Sequence, residues 1–130
     1  MKVLTYVGVC IATFLLGVSI SSAIELPHID PTKVRYGDVS KFDSDTHQIG
    51  VVDSKSVYLQ IPEYKKLKKE GYKPGSAQYY ELMAKATKKY TESLKRASSL
   101  KTCYIIVENG GVVGYTTIEV TQTCIKYFTE

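Results

Sequence analysis

QIGVVDSKSVYLQIPEYKKLKK, residues 48–69, is the stretch on which the fold of this chain turns. Its opening QIGVV is a short apolar run, long enough for one buried strand. Asp53 or Ser54 follows, and either can cap a helix by accepting hydrogen bonds from the unpaired amides of its first turn. Val57, Ile61 and Tyr64 then recur at helical spacing. Pro62 cannot donate an internal helical hydrogen bond, so it predicts a kink or the start of a new helix. Lys65, Lys66, Lys68 and Lys69 surround Leu67 and carry that helix towards Gly71.

Gly71-Tyr72-Lys73-Pro74-Gly75-Ser76 is the clearest turn in the protein, and Ser76 is placed to cap the helix after it. From residue 77 to about 101, Tyr80, Met83, Thr87, Tyr90, Leu94 and Ala97 alternate steps of three and four, which predicts one apolar stripe. Lys85, Lys88, Lys89, Lys95 and Arg96 fall mainly off it. Tyr104, Ile105, Ile106 and Val107 signal a second strand. Asn109-Gly110-Gly111 signals a hairpin turn, and VVGYT, residues 112–116, the returning strand. Ile118, Val120, Cys124, Ile125 and Phe128 predict a short closing helix. The expected fold class is α+β: a small β body, one strand plus a β-hairpin per chain, with a protruding α-helical hairpin over about 54–101. A C-terminal β-hairpin and short helix occupy 103–128. Three short strands cannot close a core alone, so trimerisation is expected to complete the body around Ile49, Val51, Ile105, Val107, Val112 and Ile118.

Two segments precede this domain of residues 48–130. Residues 1–23 read as a signal peptide: Lys2, an apolar run over 3–20, and the small residues Ser21-Ser22-Ala23 as the cleavage site. The expected address is the periplasm; the alternative is anchorage to the inner membrane by an uncleaved signal. Residues 24–47 are polar and irregular, with Pro27, Pro31 and Gly37, and read as a flexible arm. Removal of the signal discards Cys10 and leaves Cys103 and Cys124, which could form one disulfide or remain as buried thiols.

After the signal the chain carries 16 basic and 13 acidic residues, a balance of +3. Residues 62–102 hold 11 basic against 4 acidic residues, +7, while the rest balances at −4. Segregation on that scale concerns partners rather than fold. Catalysis has little support. His28 and His47 are the only histidines, and Asp43, Asp45 and His47 are read as solvated side chains rather than metal ligands. Gly110-Gly111-Val112-Val113-Gly114 lacks the ending of a phosphate loop. No cofactor and no nucleic acid partner is expected of an exported domain of this kind.

Taken in order, these features resemble the Skp/OmpH family of periplasmic chaperones. Ile49-Gly50-Val51-Val52-Asp53 resembles the family's first strand and its exit into a helix. Residues 57–66 (VYLQIPEYKK) are similar to its short helix, proline and Lys-rich helix. The helical hairpin and the tail YIIVENGGVVGYTTIEVTQTCIKYF, residues 104–128, complete the likeness. The resemblance implies a homotrimer whose basic helical tentacles hold unfolded outer-membrane proteins without ATP. The client-facing residues would be Lys65, Lys66, Lys68, Lys69, Tyr72, Lys73, Lys85, Lys88 and Lys89. The hairpin is shorter than the family's usual tentacle, and the arm before the first strand is extra. The alternative function is a non-chaperone envelope protein whose basic hairpin holds lipopolysaccharide or a membrane surface.

Overall fold

The structure, a computed structural model, describes residues 26–130, so the expected signal peptide lies outside the described residues. The QIGVV run forms β3 (Gln48–Val52), and the later apolar run forms β4 (Cys103–Glu108) parallel to it. A parallel pair requires a long crossover, and three helices supply it: α1 (Ser54–Tyr58), α2 (Pro62–Glu70) and α3 (Ala77–Lys101). Asp53 caps α1, and Pro62 opens α2 at a position where the missing N–H costs nothing. Gly71 ends α2 in the left-handed region at φ 66°, and Ser76 caps α3 by accepting from the Tyr79 amide at 3.2 Å. After β4 come β6 (Thr117–Glu119), parallel to the other edge of β3, and α4 (Thr121–Thr129). The chain is α+β, as its sequence predicts.

The residues before β3 depart from the expected flexible arm. They supply β1 (His28–Ile29) and β2 (Val34–Tyr36), and β2 pairs antiparallel with β4. The main sheet therefore has the order β2-β4-β3-β6. Gly37 allows the close passage. At φ +91° it lies where a Cβ would stand 2.5 Å from the Tyr104 carbonyl oxygen. The arm holds its place because the sheet has two apolar faces. The helices cover one, burying Val52, Val57, Leu94, Ala97 and Ile106; the arm covers Ile49, Ile105 and Val107 on the other.

The expected C-terminal β-hairpin is also corrected. The Asn109-Gly110-Gly111 turn forms, with the Gly111 amide bonded to the Glu108 carbonyl at 2.9 Å. The segment after it, β5 (Val112–Val113), pairs with β1 and not with β4. Both edges of β4 are taken, by β2 and β3, so a returning strand has nowhere to bond. Ile118, expected in the closing helix, lies in β6, and the helix starts only at Thr121.

These changes bear on the expected trimer core. Ile49, Ile105 and Val107 are 1%, 0% and 0% exposed in the single chain, so the arm performs the covering assigned to partner chains. Val51, Val112 and Ile118 remain half-buried. Cys103 and Cys124 are both free thiols in the helix-side core, where they fill space as small apolar groups. The α3 stripe is broader than the sequence suggests, burying Ala86, Tyr90, Ser93, Leu94 and Ala97. Tyr80 is 61% exposed and Thr87 is also exposed, so the buried side chains of α3 begin only at Ala86 and lie mainly in its C-terminal half.

Candidate client-binding hairpin

The hairpin of α2 and α3 is fixed to the body at its base. Glu108, at the end of β4, accepts from the Ser54 amide at 3.0 Å and from the Arg35 guanidinium at 3.2 Å. The Ser54 hydroxyl also donates to Glu108 and meets the Tyr90 phenol. One carboxylate thus joins β2, β4, α1 and α3. Burial pushes the Tyr90 phenol up to about 12, against the opposing pull of its bond to Ser54. Tyr58 stacks on Tyr90 with ring centroids 4.6 Å apart, and Tyr64 meets Tyr58 edge-on at 5.6 Å. A line of three aromatic rings therefore runs from the core to α2.

Further out, the two helices are held by Leu67 and by an ion pair between Glu63 and Lys89 at 2.6 Å. The Glu63 side chain is 20% exposed. Burial raises its pKa, but the Lys89 hydrogen bond, a backbone amide and the charges of Lys89 and Lys85 more than offset this. The net value lies below the ordinary carboxylate range. Lys85 pairs with Glu81 at 2.9 Å on the same helix.

The candidate lysines therefore divide. Lys85 and Lys89 are engaged within the hairpin. Among the described residues, Lys65, Lys66, Lys68, Lys69, Lys73 and Lys88 have no ion-pair partner, and all six are exposed. Tyr72 is half-buried at the turn, where a hydrogen bond to Glu70 and that group's charge raise its phenol.

Between the helices at the turn lies a cleft of about 410 Å³, lined by Tyr64, Leu67, Lys68, Tyr72, Tyr79 and Met83 with Pro74 on the rim. The Lys68 ammonium stands 5.5 Å from the Tyr64 ring centroid, within cation–π range. Met83, on the predicted apolar stripe of α3, lines this cleft facing α2. Tyr64, Tyr72 and Tyr79 are among the tyrosines that the sequence offers for short-range contact, whereas the role of Tyr58, which links Tyr64 to Tyr90, is one the sequence reading missed.

Asp43, Asp45 and His47 are occupied by local structure. The Asp43 carboxylate accepts from the Asp45 amide and His47 Nδ1 from the Asp43 amide, both at 2.9 Å, while the His47 ring stacks on Tyr104 at 3.8 Å. Among the described residues no group of three potential ligands comes together for a metal, and no helix is long and apolar enough to cross a membrane. The chain matches no protein-family model, no curated protein and no solved structure.

Proposed function

We propose that the protein is an exported, ATP-independent holdase that retains unfolded outer-membrane or other envelope proteins on its basic helical hairpin. The carrying observation is the set of six exposed lysines on α2, the turn and α3 that have no ionic partner among the described residues, one of which, Lys68, also lines an aromatic cleft. Unpaired ammonium groups attract acidic and amphipathic chains at long range without demanding one geometry. The aromatic cleft adds short-range contact, and several weak contacts on one chain delay its aggregation. No step consumes a cofactor; release follows from the weakness of each contact. The hairpin is anchored through Glu108, Ser54 and Tyr90, so the lysines sit on a rigid projection.

A homotrimer, which the Skp/OmpH resemblance implies, would present three such hairpins and raise avidity accordingly. Its contacts would fall to half-buried Val51, Val112 and Ile118 and the free edge of β6, because Ile49, Ile105 and Val107 are covered within one chain. Light scattering of the mature protein measures that mass directly.

The functional test is suppression of aggregation when a urea-unfolded β-barrel protein is diluted into buffer without lipid. Raising salt from about 0.05 to about 0.5 M should weaken suppression, since screening shortens the reach of exposed charges. Replacing the six unpaired lysines by glutamine should abolish most of it with the circular dichroism spectrum unchanged. Absence of suppression at excess protein defeats the reading. Binding of lipopolysaccharide without any suppression supports the envelope-binding alternative.

A further inference from the structure

The cleft at the hairpin turn combines an aromatic wall with a cation at its lip, and those two features together specify a ligand. Its volume of about 410 Å³ falls within the roughly 300–1,000 Å³ typical of small-ligand pockets and admits one aromatic side chain. The wall is preorganised from behind. Tyr64 leans on Tyr58, and Tyr58 on the buried Tyr90, so little freedom remains to be lost on binding. The mouth is open, because a Cβ added at Gly71 meets nothing within 4 Å. Lys68 lies over the Tyr64 ring at 5.5 Å, with Lys65, Lys69 and Lys73 near it in sequence and equally without ionic partners among the described residues.

We propose that this cleft seats a single aromatic side chain of an extended polypeptide, with an adjacent acidic side chain held against Lys68. The inference rests on the holdase reading for the origin of that polypeptide, and it gives the general basic surface one specific grip. Charge complementarity decides the occupant. A neutral apolar peptide would leave Lys68 unanswered, and a basic one would be repelled. A lipid acyl chain would need a continuous apolar platform, but of the large apolar side chains exposed among the described residues only Tyr80 is near the turn in sequence, and Leu26, Leu59 and Leu100 are not.

The test uses end-blocked, fluorescein-labelled Gly/Ser peptides carrying Phe-Glu, Phe-Gln, Ser-Glu or Phe-Lys at the centre, with anisotropy as the readout on the mature protein. The Phe-Glu peptide should bind most tightly, with each single replacement weakening it by about 3- to 10-fold. Tyr79→Ala should cause a similar loss. Lys68→Glu should reverse the preference, so that Phe-Lys binds better than Phe-Glu; a gain of this kind cannot arise from misfolding. Equal binding of Ser-Glu and Phe-Glu, or an unchanged preference in folded Lys68→Glu, would overturn the proposal. So would failure of the peptides to bind while phosphatidylglycerol vesicles do.

Aggregation suppression measured on the same samples separates the two readings. Peptide binding with the Lys68→Glu reversal but no suppression defeats the holdase reading and leaves the cleft's specificity standing. Full suppression by a variant whose cleft no longer binds peptide overturns the cleft as the client grip and leaves the holdase reading intact.

Discussion

Replacement of Glu108 by alanine removes more than a surface charge. The Glu108 side chain is 22% exposed and its Arg35 partner 36%, so the ion pair alone is worth about 0.5 kcal/mol after screening. The larger contributions come from Ser54, whose amide at the start of α1 and whose hydroxyl both use the same carboxylate. Losing the amide's acceptor resembles loss of a helix cap, about 1 kcal/mol. Losing a charge-assisted bond to the hydroxyl costs about 1 kcal/mol more once partial solvent access is allowed for. Glu108→Ala should therefore destabilise the domain by about 2–3 kcal/mol, or about 8–15 °C in Tm for a domain of this size. Glu108→Gln keeps an oxygen for the Ser54 amide and should cost about 1 kcal/mol. Arg35→Met, which touches only the ion pair, should cost about 0.5 kcal/mol. Urea unfolding followed by far-ultraviolet circular dichroism measures all three. A Glu108→Ala cost under about 0.5 kcal/mol would refute the view that this carboxylate anchors the hairpin. An Arg35→Met cost equal to that of Glu108→Ala would place the effect in the ion pair.

Tyr90 supplies a pH dependence. Its folded pKa of about 12 lies above the ordinary 10, so the native state favours the neutral phenol. The associated stability is fully present below pH 10 and is lost as pH rises towards about 12. Absorbance titration of tyrosinate should show a late component that loses one tyrosine's amplitude at about pH 12 in Tyr90→Phe; an unchanged late amplitude in that variant refutes the assignment. The thiols supply another check. Burial raises both, Cys124 to about 11, so each should resist an aromatic disulfide reagent at mildly alkaline pH and react once urea unfolds the chain. A native protein that yields no free thiol even when unfolded would show that the two cysteines pair after all.

Much of the architecture was legible locally. Asp53, Pro62, Gly71 and Ser76 each act within one helical turn, so the breaks between β3, α1, α2 and α3 follow from nearest-neighbour chemistry. The lysines without ionic partners were legible in the same way, because a cluster such as 65–69 exceeds the acidic side chains within its reach. The tip cleft was not. Tyr64, Tyr79 and Met83 converge only when α2 folds back on α3, and Met83 and Tyr90 share one sequence stripe yet face different surroundings.

The breaks between β3, α1, α2 and α3 and the +7 charge of 62–102 are determined by the sequence itself, since capping and charge need no distant partner. Strand partnership needed the tertiary structure. A turn such as Asn109-Gly110-Gly111 states that the chain reverses, but not whether the preceding strand still has a free edge. With β2 and β3 on its two sides β4 has none, so β5 went to β1, and the polar arm became the cover of a sheet face that its own composition gave no reason to expect. Composition averages over a segment, whereas burial depends on a few apolar side chains. Ile29, Val34 and Phe42 are those few.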